Sequence, residues 1–394
     1  MRDLSPKQGI FTRIAAVYAM VPETQIHIRV MLPSEKSEIE KLFGRSLGLI
    51  DKIFFQLTLE GALKRAKKQL GSSLVGRLND RIVGSVSMRI QLIGGRRAGF
   101  IAALVSDREF RGRGVGKSLV DGAISWLEER ECEVIYATAD RYNSPSWNTF
   151  IHRGFSIYEF PQQLRNYRLN FLRLWLVEFH FIGYGTFFLR WDREEEIPRG
   201  RSEAWHFIAA WLGLSLMLGM RALRMGETVS LLPLLIVVAW ISLIAHELPQ
   251  KMIGRLLGLE TDFKVWEPGL FLGSLFGAVG SIFPVYGSTY VKQLDWRYDP
   301  RKSGMGAFFA IGPFVSFVMA SVFWVLSSTT RGFLATSGRI GFLTNLMNVF
   351  FNLIPLQSAG GLVWDGKKIL TWSKAVWMIL FTGTTSLIII DILF

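Results

Sequence analysis

Cysteine is almost missing from this sequence of 394 residues, which contains Cys132 and no other. One thiol cannot close an internal disulfide, so nothing in the chain argues for an oxidising compartment. Charge is also scarce, since 20% of the residues are charged, against about 25% in ordinary soluble domains. The hydrophobic fraction is 50%, with 30 Phe and 13 Trp. These values exclude a disulfide-rich secreted module, a collagen-like chain and an intrinsically disordered protein.

The charges are concentrated in the first half of the chain. Residues 1–202 hold 31 Lys and Arg with 22 Asp and Glu, whereas residues 203–394 hold 14 and 10. This pattern predicts a charged domain followed by a membrane domain. The net charge of +13 fits anionic lipid head groups or an anionic cofactor better than nucleic acid. The first residues carry no small-residue cleavage site of a secretory signal, so we expect a cytoplasmic N-terminal domain and a chain in the cell membrane.

Residues 26–160 alternate helices and strands. The sequence predicts helices at 34–45, 58–70, 115–130 and 144–153. The turn signals Asn79-Asp80 and Gly94-Gly95 separate three β-rich runs, SSLVGRL, RIVGSVSMRIQL and AGFIAALVS, which predicts an antiparallel meander. A further strand, EVIYATA, follows the third of these helices. We therefore expect an α+β domain with an antiparallel-rich mixed sheet.

Beyond residue 200 the pattern changes to long apolar stretches. They lie at about 204–220, 229–246, 304–327, 340–357 and 373–394. Each is near the roughly 17–25 residues that cross a bilayer, so we expect an α-helical polytopic membrane domain of about five to six spans. The Gly- and Pro-rich stretch 268–287 is predicted to be a re-entrant or broken element. Residues 169–191 are predicted to form an interfacial helix joining the two domains, with a sixth span as the alternative.

A topology follows from counting these spans from a cytoplasmic first domain. The loop around Lys292, Arg297, Arg301 and Lys302 then lies inside, as do Lys367 and Lys368, in agreement with the positive-inside rule. The agreement is partial, because Arg221, Arg224, Arg331 and Arg339 fall outside.

A glycine-rich segment follows the third strand and precedes a helix. It reads Arg111-Gly112-Arg113-Gly114-Val115-Gly116-Lys117-Ser118. Such a turn leaves several backbone N–H groups pointing at one spot, where the helix dipole helps them to bind a pyrophosphate. Arg111, Arg113 and Lys117 add positive charge. The spacing fits neither a P-loop nor a Rossmann turn, and an ordinary glycine-rich helix entry without a ligand is the alternative.

This segment resembles the acyl-CoA-binding signature of the GNAT N-acetyltransferase superfamily. Its Arg111-x-x-Gly114-x-Gly116 follows a strand, and the stretch from Asn143 to Gly154-Phe155 resembles the second motif of that family. The resemblance covers about 26–160 and implies that the backbone amides at 112–116 hold the pyrophosphate of acetyl-CoA, with Asn143 also at the cofactor. It further implies that an amine attacks the thioester directly, in a cleft where two strands part.

One position departs from the GNAT pattern. The family often has a Tyr five residues before the final Phe, where it can protonate the leaving thiolate, and this chain has Phe150. Tyr142 or a water molecule is the candidate replacement, and a slow or inactive transferase is the alternative. Asp107 and Glu109 are candidate bases, although solvated turn residues are the simpler interpretation.

A second motif stands at the end of the second predicted span. It reads His246-Glu247-Leu248-Pro249-Gln250. His-Glu-x-x-His on a helix places two imidazoles on one face to bind zinc, with the Glu as the general base for a metal-bound water. Here Gln250 replaces the second His, and Pro249 removes a helix hydrogen bond. A satisfied polar pair near the membrane surface is the structural alternative.

The wider context of this motif resembles the site-2 protease family of intramembrane zinc metalloproteases. Gly312-Pro313-Phe314-Val315, Asn352-Leu353-Ile354-Pro355 and Trp364-Asp365-Gly366 follow in the order of that family. The resemblance implies that His246 and Asp365 are metal ligands, Glu247 the base and Asn352 a substrate-positioning group. Gln250 is a poor zinc ligand compared with imidazole; His206 and His180 are candidate replacements.

Together these patterns predict four segments: an N-terminal extension at 1–25, a GNAT-like acyl-CoA-binding domain at 26–165, a linker at 166–203 and a site-2 protease-like membrane domain at 204–394. The first functional hypothesis is a membrane-tethered N-acyltransferase that acetylates an amine such as a protein N-terminus or lysine, with a degenerate metal motif. The alternatives are an active bifunctional metalloprotease that cleaves a membrane protein and carries a transferase or acyl-CoA sensor, and a non-enzymatic scaffold. A transporter has less support, since no inverted repeat is visible.

Overall fold

The computed structural model describes residues 26–193, 200–227, 229–292, 303–356 and 364–393. The predicted extension at 1–25 and the loop residues Arg297, Arg301 and Lys302 lie outside the described residues.

The first half of the chain is built on a seven-stranded sheet in the order β1-β2-β3-β4-β5-β7-β6. The strands are β1 (His27–Val30), β2 (Gly71–Leu78), β3 (Arg81–Ile93), β4 (Arg96–Ser106), β5 (Val134–Asp140), β6 (Ser156–Ile157) and β7 (Thr186–Asp192). The helices are α1 (Lys36–Ser46), α2 (Leu49–Ala66), α3 (Val115–Glu128), α4 (Ser144–Ile151), α5 (Phe160–Tyr167) and α6 (Phe171–Val177). The predicted meander is confirmed, because β1 to β4 pair antiparallel in sequence order.

Strands β4 and β5 are the parallel pair of this sheet, and they part before they end. They pair over Ala98–Ile101 and Val134–Ala137, after which β4 continues to Ser106. The register between β3 and β4 shifts at this level, and Ala103 has a φ of 51°. A bulge of this kind bends its strand. The gap beside the carboxyl ends of β4 and β5 follows from that bend.

Residues 169–191 do not form the predicted interfacial helix, nor a sixth span. They form α6 and then β7, which pairs antiparallel with β5 from Val134 to Asp140. Two of the charges that interrupt the apolar pattern are paired inside the first half: Arg89 lies 3.2 Å from Glu178, and Arg190 pairs with Asp192. The buried apolar residues of the segment, among them Trp175 and Phe188, therefore cover and complete a sheet.

The second half is helical around a small hairpin. Its helices are α7 (Glu203–Arg224), α8 (Leu232–Leu256), α9 (Glu267–Ala278), α10 (Ser303–Thr329), α11 (Phe333–Leu353), α12 (Asp365–Trp372) and α13 (Lys374–Leu393), and the hairpin is β8 (Thr261–Val265) with β9 (Gly287–Val291). In the described residues, four helices are long and apolar enough to cross a membrane: Glu203–Arg224, Val229–Leu256, Gly304–Thr329 and Lys374–Leu393.

Two predicted apolar segments of the second half lie outside the four membrane-length helices, one predicted as a span and one as a re-entrant or broken element. The stretch predicted as a span at 340–357 lies largely in α11, a helix of 21 residues that falls outside the four just named. The stretch 268–287 forms α9, whose 12 residues are too short to cross about 30 Å of hydrocarbon, and then leads into β9.

The end of β5 joins the first half to the hairpin. Arg141 is fully buried and donates to the carbonyls of Lys264 and Val265 at 2.8 and 2.9 Å. The Tyr142 hydroxyl donates to the Thr289 carbonyl at 2.8 Å, and the Tyr184 hydroxyl donates to the Gly287 carbonyl at 2.9 Å. Hydrogen bonds from a charged donor are each worth about 1.5–3 kcal/mol, so this contact fixes the two halves against each other.

A buried cluster of charges lies at the same junction. The Lys264 ammonium is 2.7 Å from a Glu159 oxygen and 3.6 Å from a Glu267 oxygen. Burial opposes ionisation of both carboxyls, but Lys264, together with His206 at Glu159 and His180 at Glu267, outweighs it, and the pKa of each carboxyl lies below its ordinary value. His206 and His180 contact the same carboxylates, at 3.6 and 3.9 Å. The cluster thus depends on one ammonium group.

Replacing Lys264 with Met should lower the thermal unfolding midpoint of the full chain in detergent. The change leaves two buried carboxylates without their cation, a loss of about 3–5 kcal/mol. The control is Lys292→Met in the same hairpin, which removes an exposed pair with Asp262 at 3.1 Å and should change stability by about 1 kcal/mol or less. A second substitution, Glu159→Gln, should restore part of the lost midpoint. Equal midpoints for the two lysine variants would contradict this account.

Candidate functional site

The glycine-rich turn lies at the head of α3, beside the gap between β4 and β5. Gly112 and Gly114 have φ angles of 78° and 82°, which favour glycine. A Cβ atom built on Gly112, Gly114 or Gly116 would meet no heavy atom within 4 Å. The first amides of a helix have no partner within the helix. The turn therefore presents open backbone donors and the positive end of a helix dipole to the space in front of it.

That space is a cavity of about 830 Å³. The turn and Arg108 line one side, the start of α2 contributes Asp51 and Phe55, and the end of β5 contributes Asp140 and Tyr142. The start of α4 closes a further side. The last wall comes from α12 in the second half, through Lys367, Lys368 and Thr371. The cavity thus lies where the two halves meet.

The positive residues predicted around the turn divide into two groups. Arg111 and Lys117 line the cavity. Burial, together with the nearby Arg108, holds the pKa of Arg111 below its ordinary value. Arg113 instead stacks its guanidinium 5.2 Å from the centre of the Phe110 ring and lies outside the cavity lining. An anion entering the cavity would relieve the mutual repulsion of the lining cations.

The residues predicted for proton transfer are placed as follows. Tyr142 lines the cavity, but its hydroxyl donates to the Thr289 carbonyl, so in this arrangement its proton is directed away from a leaving thiolate. Asn143 lines the cavity as well, and its side chain caps α4 by accepting from the Ser146 amide at 3.3 Å. Phe150 is buried against Phe155 and has no proton to donate.

Asp107 and Glu109 lie outside the cavity lining. Asp107 is buried, whereas the simpler interpretation of the sequence was a solvated turn residue. Arg45 and Arg81 pair with its carboxylate at 3.0 and 2.8 Å. Glu109 is exposed and pairs with Arg81 at 2.8 Å. Both residues therefore act as structural partners of arginines.

Two carboxylates that line the cavity, Asp51 and Asp140, were not predicted as site residues from the sequence. Asp140 ends β5 just beyond the point where β4 and β5 part, and it accepts from the Tyr142 amide at 2.9 Å. Burial raises its pKa to about 6, against the opposing effects of that hydrogen bond and of Lys368. The available signal was the acidic residue directly after the strand EVIYATA, at the edge where ligands approach an open sheet.

The second motif lies on α8, which continues through Pro249 to Leu256. His246 Nδ1 lies 3.0 Å from Ser316 Oγ, and Gln250 donates to an Asp365 oxygen at 3.3 Å. A Cβ atom on Gly312 would lie 3.0 Å from His246 Nε2 and 3.1 Å from Gln250 Nε2. His246, Gln250 and Asp365 therefore converge on one buried region, as the resemblance implied.

Glu247 and Asn352 belong to hydrogen-bond networks around this region. Glu247 accepts from the Thr289 hydroxyl at 2.6 Å and from the Thr289 amide at 3.1 Å. Asn352 donates to Asn348 Oδ1 at 3.0 Å, and Asn348 donates to Ser316 at 3.4 Å. Asn352 is thus connected to the serine that contacts His246.

These residues do not fit a zinc ion. Among the described residues, no group of three or more His, Cys, Asp or Glu could hold a metal. The Gln250 amide donates to one Asp365 oxygen, and the Lys368 ammonium lies 3.0 Å from the other. The candidate replacements His206 and His180 are engaged with the Glu159–Lys264–Glu267 cluster instead.

Comparison with known proteins assigns both halves. Residues 46–155 match the family model of the acetyltransferase (GNAT) family. A GNAT acetyltransferase structure from Brucella melitensis, in complex with acetyl-CoA, is 16% identical, with coverage of 45% of this chain and 94% of that chain and a TM-score of 0.31. A GNAT acetyltransferase structure from Staphylococcus aureus is also 16% identical, over 43% of this chain and 99% of that chain, with a TM-score of 0.32. TM-scores of this size carry no argument, so the assignment of residues 46–155 to the GNAT family depends on the family model.

The C-terminal part matches a protein of Methanocaldococcus jannaschii that is named as a zinc metalloprotease. The two are 32% identical over 139 residues, which are 34% of this chain and 68% of that protein. The chain therefore belongs to the family of this Methanocaldococcus jannaschii protein, and it joins a GNAT acetyltransferase domain to that part.

Proposed function

We propose that the chain is a membrane-tethered N-acyltransferase that uses acetyl-CoA to acylate an amine. The observation that carries the proposal is the open glycine turn at the head of α3, which faces a cavity lined by cations. The gap between β4 and β5 leaves room for an extended ligand beside the turn. We further propose that the first half lies in the cytoplasm and that the acceptor is an amine such as a protein N-terminus or lysine.

The residues that line the cavity support two separate roles, pyrophosphate binding and proton acceptance. The amides of the turn and the α3 dipole would bind the pyrophosphate, with Arg111 and Lys117 neutralising its charge. Bound acetyl-CoA supplies an activated thioester carbonyl, whose C–S bond breaks as the acceptor nitrogen forms the new C–N bond, so that coenzyme A leaves as a thiolate that water protonates. Asp140 would take the proton that the amine loses, since a buried carboxylate with a pKa of about 6 is ionised at neutral pH yet close enough in pKa to act as a base.

For the membrane half we propose a protease scaffold without a working metal site. Support comes from Gln250, which stands where the family has its second His, and from the Lys368 ammonium beside Asp365. A catalytic zinc normally has three protein ligands and a water, and His246 and Asp365 supply two. The second candidate, an active intramembrane metalloprotease, is favoured by the convergence of His246, Gln250 and Asp365.

Gly114→Asp should strongly weaken the binding of acetyl-CoA to the full chain, measured by calorimetry in detergent. The new carboxylate would stand where the phosphates bind, and a φ of 82° would be strained. Gly95→Asp is the matched control, since Gly95 has a φ of 84° and open space but lies in the β3–β4 turn away from the cavity. Unchanged binding by Gly114→Asp would reject this site.

The acetylation rate should fall as the pH drops below about 6, because Asp140 is then protonated and cannot accept a proton. Asp140→Asn should lower the rate by about 10²–10⁴-fold and remove the extra fall below about pH 6, leaving only the fall caused by protonation of the acceptor amine. Asp80→Asn, in the exposed β2–β3 turn, should leave both unchanged. A pH–rate profile of Asp140→Asn that matches the wild type would show that another group is the base.

The wild-type chain should purify with far less than one zinc per molecule, as measured by elemental analysis. Gln250→His supplies the missing imidazole, and adding Lys368→Gln removes the competing ammonium, so zinc content should rise in that order. Asp365→Ala added to Gln250→His should abolish the gain. Near-stoichiometric zinc in the wild type that His246→Ala removes would instead favour the active protease.

A further inference from the structure

Helix α12 belongs to the membrane half, yet it forms one wall of the acetyltransferase cavity. Its position is fixed by close packing. A Cβ atom on Gly366 would lie 2.3 Å from the Leu353 carbonyl oxygen, so α12 lies directly against the end of α11. Ile369 is fully buried, and the Trp372 ring lies against Gly306 of α10. The wall is therefore part of a rigid framework.

The side chains of α12 that line the cavity differ in their partners. Lys368 is buried, lies 3.0 Å from an Asp365 oxygen, and holds its ammonium 4.0 Å from the centre of the Tyr142 ring. The Lys368 charge is thus already paired with Asp365 and with the Tyr142 ring, where the two halves meet. Lys367 is only half-buried, and Thr371 stands one helical turn beyond it on the same face. Lys367 is the residue of α12 whose charge is available to a ligand.

The charges around the cavity favour an anionic ligand that carries several charges. The lining cations are Arg108, Arg111, Lys117, Lys367 and Lys368, whereas the lining acids are Asp51 and Asp140. Crowded cations with few acidic partners repel one another and are stabilised by phosphate groups. The turn supplies part of this charge from one side of the cavity, and Lys367 supplies charge from the α12 side.

We propose that Lys367 binds a phosphate group of acyl-CoA, so that the membrane half completes the acyl-CoA site. This inference rests on the proposed function and adds a residue outside the family-matched segment 46–155. A ligand that contacts both halves binds more tightly when they are docked, and by linkage its binding stabilises their docking. The separated first half would therefore lack part of the site.

The test compares Lys367→Gln with Lys374→Gln in the full chain in detergent. Lys374 is the matched control because it is exposed at the start of α13 and lies outside the cavity lining. Lys367→Gln should raise the calorimetric Kd for acetyl-CoA by about 10-fold at low salt, with the difference shrinking as salt is added. Lys374→Gln should bind like the wild type. Acetyl transfer from S-acetyl-N-acetylcysteamine, which has no phosphate, should be equal in Lys374→Gln and the wild type.

The outcomes separate this inference from the function on which it rests. Equal Kd values for the two variants, with tight binding by the wild type, would overturn the role of Lys367 and leave the acyltransferase proposal standing. Absence of acetyl-CoA binding by the wild type would overturn both. Mass spectrometry after incubation with acetyl-CoA gives a further check: an acetyl group on Lys367 would make it the acceptor and overturn its role as a phosphate ligand.

Discussion

The contact between Arg141 and the β8–β9 hairpin is the constraint on which both sites depend. A fully buried guanidinium must find acceptors, and it finds the carbonyls of Lys264 and Val265. This contact fixes the end of β5 against the membrane half. Asp140 and Tyr142, which precede and follow Arg141 in the chain, are thereby held in the wall of the cavity. The cavity at the glycine-rich turn is thus shaped by contacts from the second half of the chain, which a free-standing first half would lack.

The same junction connects the cavity with the buried region where His246, Gln250 and Asp365 converge. Tyr142 donates to the Thr289 carbonyl, and the Thr289 hydroxyl and amide donate to Glu247. Lys368 contacts Tyr142 from one side and Asp365 from the other. Glu247 and Asp365, which the resemblance implies are the base and the third ligand of a protease, are therefore held by hydrogen bonds and an ion pair to the junction.

The sequence predicted the parts of this structure that depend on local pattern. Asn79-Asp80 and Gly94-Gly95 determine tight turns, so the meander was predictable, and so was the open turn at Gly112–Gly116. The strand at Thr186–Asp192 was not, because Asp192 pairs with Arg96, far away in the chain, and periodicity cannot distinguish a buried ion pair from a charge at a membrane surface. Asp51, Asp140 and Lys367 were missed for a related reason, since only the docking of α2, β5 and α12 brings them together.

The last strand of the sheet also limits where the protein can act. Strand β7 ends at Asp192, and the first membrane-length helix begins at Glu203, which leaves ten residues between them. A connection of that length reaches at most about 40 Å when fully extended, a distance comparable to the thickness of a bilayer with its head groups. With the four membrane-length helices anchored in a bilayer, as proposed, the first half would stay within that distance of the membrane surface. Under the proposed function, an acceptor would then have to come to the membrane, and the reaction would acquire a spatial selectivity that the chemistry of the cavity alone would not provide.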